Sequence, residues 1–181
     1  SIKRLKKWRK NNMPLVMQKH EMPEQDANVR RNNFDEVALG YTEELALAEV
    51  NRCLHCKVPH CRKGCPVDID IPAFIAKIKE GDFEGANAKI KEASSLPAIC
   101  GRVCPQENQC EKILCNGNKR RTCGIGRLER FVADYCMQNC EEKIEKTVKD
   151  DAQKVAIIGS GPAGLACAGD LAKKGYQVTI F

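Results

Sequence analysis

CLHCKVPHCRKGCP, residues 53–66, sets Cys53, Cys56, Cys61 and Cys65 at gaps of two, four and three residues and closes on Pro66. CGRVCPQENQCEKILC, residues 100–115, sets Cys100, Cys104, Cys110 and Cys115 at gaps of three, five and four, with Pro105 after the second. Eight of the 12 cysteines thus fall in two groups. Thiols at this density form disulfides in an oxidising compartment and hold metal or do redox chemistry in a reducing one. The apolar run nearest the start spans only about Met13 to Met17, too short for a secretory h-region, so a cytoplasmic chain is expected.

The run C-x2-C-x2-C-x3-C-P is the spacing with which bacterial ferredoxins bind iron–sulfur clusters, its fourth cysteine serving the other cluster of a pair. Residues 53–66 are that run with two extra residues in the middle gap. Zinc is the competing reading. Zinc sites favour two C-x2-C pairs across a longer linker, or Cys/His mixtures, and His55 and His60 do lie among the thiols. Only Cys53 and Cys56 make such a pair, however. Spacing and thiolate count therefore favour two [4Fe-4S] clusters and one-electron transfer.

Length and charge bound what remains. The 181 residues make one or two domains. Net charge is +6, yet residues 1–20 carry seven Lys or Arg and no acid, which leaves 23 basic against 24 acidic residues beyond them. The basicity therefore belongs to an arm, SIKRLKKWRKNN, whose one aromatic is Trp8. A solvated arm or docking segment is expected there rather than a nucleic-acid interface. No apolar stretch approaches the 18 residues of a membrane span.

Three regions follow from pattern: a basic extension over 1–40, a helical cluster domain over 41–150, and a strand–turn–helix unit over 151–181. Thr42 is a fitting N-cap, with Glu43 and Glu44 at the positive end of a helix that runs to Arg52 and delivers Cys53. Asp70 and Pro72 open a helix that Gly81 closes, with Phe74, Ile75 and Ile78 on one face. Asp82 precedes a helix carrying Ala86, Ile90 and Ala93. The stretch from Leu96 to Cys104, with Pro97 and Gly101, reads as irregular. A last helix is expected from about Ile125 to Gln138. No alternating strand pattern appears over 41–150, so the fold class is mostly α, unlike the small β-rich ferredoxins.

Composition changes at Lys154. VAIIGSGPAGLACAGDLAKKGYQVTIF reads as strand, glycine turn, helix, strand, with strands expected at Val155–Ile158 and Val178–Phe181. Gly159, Gly161 and Gly164 make G-x-G-x-x-G at the strand–helix junction. The first glycine serves the tight turn, the second the approach of a pyrophosphate, and the third the packing of helix on strand. With its strand, helix and returning strand in place, the motif is a specific one. Pro162 and Ala163 inside it suit a flavin site. Two strands and one helix do not complete a doubly wound sheet, and the ribose-binding acid would be due where the sequence ends. The chain is thus expected to be cut inside a truncated Rossmann unit.

With these residues the chain resembles the small (β) subunit of NADPH-dependent glutamate synthase. It resembles still more closely related subunits, among them the large subunit of NADH-dependent ferredoxin:NADP oxidoreductase and sulfide dehydrogenase. The segments that carry the resemblance are MPEQD (22–26), NFDEVALGYTEE (33–44), RCLHCKVPHCRKGCPVDIDIPAFI (52–75), LPAICGRVCPQENQCE (96–111), IGRLERFVADYC (125–136) and IIGSGPAGLACAGDLAKKGYQVTIF (157–181). The same cluster domain opens dihydropyrimidine dehydrogenase.

The resemblance implies a relay from NADPH through FAD and two [4Fe-4S] clusters to a partner flavoprotein, the glutamate synthase large subunit or its equivalent. It implies that Cys53, Cys56 and Cys61 hold one cluster with a later cysteine. It implies that Cys65, Cys104 and Cys110 hold the other, with a carboxylate or amide from the last helix, here Glu129, as fourth ligand. The family places the later cysteine four residues after the one matching Cys110. That position is Leu114 here. Cys115 follows it and takes the role in this reading, with Cys123 as its rival. Glu129 lies on an apolar stripe of Ile125, Leu128, Val132 and Cys136, where a carboxylate must pair or bind metal. A salt bridge to Arg102 or Arg130 is the alternative. Cys100 is expected to pack beside a cluster, Cys136 and Cys140 to be buried or half-buried thiols, and Cys167 to be core. Alternative functions are an electron-bifurcating oxidoreductase subunit and, from another class, a zinc-stabilised interaction domain.

Overall fold

The computed structural model describes residues 18–114, 122–141, 148–149 and 151–181. The arm over 1–17 and Cys115 lie outside the described residues. Residues 18–40 form a short turn of helix, α1 (Ala27–Arg30), capped by Asp26, and a bridge pairs Glu24 with Ala38.

The helical body grows from local signals. Helix α2 (Glu43–Val50) starts at Thr42, whose hydroxyl accepts the Leu45 N–H at 3.3 Å. It stops two residues short of the expected Arg52. There the N–H groups of Arg52 and Cys53 reach back three residues, to Glu49 and Val50, tightening the last turn before the cysteine loop. Helix α3 (His60–Lys63) is a single turn around Cys61. Helix α4 (Ile71–Glu80) takes its cap from Asp70 and ends at Gly81, whose φ of 78° a glycine adopts freely. Its inner face buries Ile71, Phe74, Ile75 and Ile78.

Helix α5 (Phe83–Lys91) is capped by Asp82 and buries Phe83, Ala86, Asn87 and Ile90; Ala93 of the expected stripe lies beyond its end and is exposed. The expected irregular stretch is helix α6 (Pro97–Val103). Pro97 reads as a breaker but occupies the first turn, where its missing N–H is no loss. Helix α7 (Ile125–Asn139) matches its expected start and runs one residue further. It lies along α5 and α6, and Phe83 meets Phe131 edge-to-face with ring centroids 5.2 Å apart. A side-chain carbon on Gly101 of α6 would fall 2.6 Å from the Arg130 nitrogen of α7, so glycine sets how closely these two helices approach.

The C-terminal unit is the expected βαβ. Strands β1 (Lys154–Ile157) and β2 (Gln177–Ile180) pair in parallel, Lys154 opposite Gln177. Each begins and ends one residue earlier than expected, and Ile158 and Phe181 just beyond them are 91% and 74% exposed. Helix α8 (Pro162–Lys173) crosses between them. It buries Ala168 rather than Cys167, which is exposed. The core assignment of Cys167 is therefore corrected: the face of α8 that carries it meets no second layer among the described residues. Ser95, just before α6, touches this unit at Asp170, 3.3 Å away.

Candidate metal centre and nucleotide turn

The structure gathers the two cysteine sets at separate places. Cys53, Cys56 and Cys61 line one cavity at the end of α2, together with Leu114, Cys123 and Ile125. His55, between the first two cysteines, has a φ of 45°, unusual for a side-chain-bearing residue. This bend aims backbone N–H groups at sulfur. Burial raises the Cys53 thiol above its ordinary pKa, and the His55 N–H works against the rise by favouring the thiolate. Burial pushes Cys61 up to about 11, opposed by the Arg62 N–H, while the Cys53 and Cys56 thiolates add to the rise. Three thiols converging on one cavity, Cys53 and Cys61 each with a backbone N–H donor, are a ligand set for a metal centre.

The second set joins three elements. Cys65 follows α3, Cys104 caps the C-terminus of α6, and Cys110 follows a turn of 3-10 helix at Gln106–Asn108. Burial pushes Cys110 up to about 12, and the charges of Glu111, Cys65, Cys104 and Glu129 add to it. Cys104 is raised first by burial and then by Glu129, Cys100 and Cys65. Cys65, Cys104 and Cys110 thus lie within electrostatic reach of one another, and Glu129 within reach of Cys104 and Cys110. Cys100 stands beside them, its sulfur 3.7 Å from Ser94 Oγ.

Glu129 is 5% exposed, and its Oε1 has no hydrogen-bond partner among the described residues. Burial pushes its carboxyl up to about 7. Neither arginine of the alternative reading reaches it. Arg102 donates to Glu36 at 2.7 Å and to Asp134 at 2.8 Å. Arg130 donates to the Ala38 carbonyl at 2.7 Å and to Asp134 at 3.3 Å. A buried carboxylate oxygen without a donor, near the Cys104 and Cys110 thiols, is an acceptor for a cation, so this donor set fits an iron–sulfur cluster. Among the described residues, no three His, Cys, Asp or Glu side chains stand close enough for a single metal ion.

Sequence reasoning did not find what holds these loops. Glu49, fully buried, accepts from Gly124 N–H at 2.7 Å, His20 N–H at 3.0 Å and Arg52 at 2.5 Å. Arg52 also donates to the Thr122 carbonyl at 2.9 Å. The one signal was a charge at Glu49, between Ala46 and Val50 on the inward face of α2.

Residues 30–149 match the family described as dihydropyrimidine dehydrogenase domain II, 4Fe-4S cluster. The chain belongs to this family. Residues 157–181 match the NAD(P)-binding Rossmann-like domain. The chain is 34% identical over 167 residues to the glutamate synthase (NADPH) small chain of Escherichia coli (strain K12), covering 92% of this chain and 35% of that one. It is 40% identical over 152 residues to the NAD-dependent dihydropyrimidine dehydrogenase subunit PreT of the same organism, covering 84% and 37%. The glutamate synthase small chain of Azospirillum brasilense is 34% identical over 153 residues, covering 84% and 32%. The chain spans about a third of the length of these relatives. The sequence-level resemblance is thus borne out, and with it an iron–sulfur oxidoreductase module joined to the start of a nucleotide-binding domain.

In that start, Gly159 has a φ of 98°, and a side-chain carbon on Gly164 would fall 2.1 Å from the Gly159 carbonyl oxygen. The first and third glycines of the motif therefore do what the sequence assigns them. Nothing lies within 4 Å of the place a side chain would occupy on Gly159 or Gly161. That open space, with Pro162 and Ala163 exposed at the N-terminus of α8, fits a dinucleotide pyrophosphate. Among the described residues, no helix is long and apolar enough to cross a membrane.

Proposed function

We propose that this chain is a one-electron relay holding two [4Fe-4S] clusters, one served by Cys53, Cys56 and Cys61 with a fourth thiolate, the other by Cys65, Cys104, Cys110 and Glu129. The observation that carries the reading is the buried Glu129 oxygen, without a hydrogen-bond partner among the described residues, near the Cys104 and Cys110 thiols. Clusters pass single electrons, a nicotinamide delivers a hydride pair, and a flavin converts one into the other. This chain's residues supply the holding side of that division. The cysteine loops turn N–H groups toward sulfur, Glu49 and Arg52 fix the loop over 122–124, and the glycine turn leaves room for the FAD pyrophosphate. NADPH is the proposed reductant of the full-length parent, and the proposed acceptor is the flavin of a partner subunit equivalent to the glutamate synthase large subunit. A reducing, cytoplasmic setting keeps the thiols available.

Reductive titration tests the relay. The anaerobically reconstituted chain should take up two electrons in one-electron steps, one per cluster, each with its own EPR signal. A chain that accepts none is not a relay.

A further inference from the structure

We propose that Cys123 is the fourth thiolate of the first cluster, replacing the cysteine that the family pattern puts at position 114. The inference rests on the two-cluster reading above and assigns the ligand which that reading leaves open.

The cavity at the end of α2 is walled by Cys53, Cys56, Cys61, Leu114 and Cys123. Leu114 therefore faces the place where its family counterpart ligates, but it has no lone pair to give. Cys123 faces the same cavity with a sulfur, and it is 5% exposed. Its hydrogen bond there is a weak one, to the Glu49 carbonyl at 3.8 Å. Four thiols converging on one cavity match the number of cysteine ligands that a [4Fe-4S] cluster takes.

Cys123 is also held in place. Arg52 grips the Thr122 carbonyl at 2.9 Å, and Glu49 grips the Gly124 N–H at 2.7 Å. Glu49 sits in the last turn of α2, and Arg52 follows it immediately before Cys53. The same two residues thus set the positions of Cys53 and Cys123 relative to each other. Rigid placement by buried hydrogen-bonded neighbours is what a ligand position requires and a filler position does not.

Three variants of the full chain, reconstituted anaerobically with iron and sulfide, decide the matter. Cys123→Ser should fall from about eight to about four iron per chain and lose one of the two EPR signals. Cys115→Ser should keep the full count and both signals. Leu114→Cys in the Cys123→Ser background should restore the lost iron, by returning a thiolate to the same cavity. That rescue separates a missing ligand from a damaged fold, because a misfolded chain gains nothing from a cysteine at 114. The proposal is overturned if Cys123→Ser keeps all its iron while Cys115→Ser loses half. It is also overturned if the lost iron does not return with Leu114→Cys. A parent chain that takes up no sulfide at all removes the two-cluster reading itself, and this assignment with it.

Discussion

Glu49, in the last turn of α2, and Arg52, just beyond it, form a buried ion pair at 2.5 Å whose paired atoms, Arg52 Nη1 and Glu49 Oε1, also clasp the loop over 122–124. The pair joins the first cysteine loop to the start of α7, elements some 70 residues apart in sequence. Burial alone would push the Glu49 carboxyl up. The N–H groups of Gly124 and His20, the His20 ring and the Arg52 charge hold it below its ordinary 4.5 instead.

Glu49→Ala should therefore destabilise the metal-free chain by about 3–5 kcal/mol in urea unfolding, because it strands a buried guanidinium. The pH dependence follows from the sign of the shift. A carboxyl whose folded pKa is depressed contributes fully above its unfolded value of 4.5 and loses that contribution as pH falls below it. As pH falls below 4.5 the parent chain should lose stability more steeply than Glu49→Ala. Parallel slopes would mean that folding does not shift the Glu49 carboxyl.

Glu129 should show opposite effects in the two states of the protein. Burial holds its carboxyl up at about 7, so in the metal-free fold its ionisation is a penalty near neutral pH. Glu129→Gln should raise metal-free stability by on the order of 2–3 kcal/mol. In the reconstituted chain the same change should weaken retention of one cluster, read as faster iron loss to a chelator. A variant that is stabilised and keeps iron as tightly as the parent would make Glu129 a bystander.

Gly101→Ala should force α6 away from α7, since its new carbon would sit 2.6 Å from the Arg130 nitrogen. The cost should be about 1–3 kcal/mol, seen as a lowered Tm. Cys104 caps α6, so the second cluster should become labile in the same variant. An unchanged Tm would show that the two helices adjust freely.

FAD should bind this chain weakly. The described βαβ unit supplies the pyrophosphate turn, while the ribose and the isoalloxazine need contacts from further strands. Gel filtration with added FAD should leave the chain with far less than one flavin. Stoichiometric retention would mean that the glycine turn and the helical body suffice.

The sequence displayed the parts whose chemistry is local. Asp70 and Gly81 bound α4 because a cap and a left-handed stop are short-range signals. Glu129 stood out because a carboxylate on an apolar stripe is an anomaly. Helix α6 was missed because Pro97 marks either a break or a first turn, and only the surroundings decide which. Cys167 was misplaced because a helical pattern shows which residues share a face but not whether anything covers it. The Glu49–Arg52 clasp was invisible because its partners converge only on folding. The choice between Cys115 and Cys123 was open for the same reason, and the cavity that Cys123 lines exists only in three dimensions.

Iron and acid-labile sulfide, counted together on the anaerobically reconstituted chain, test the two-cluster account most directly. The account predicts about eight of each per chain, with broad visible absorption. One tightly bound zinc with no sulfide, in a colourless protein, would contradict it.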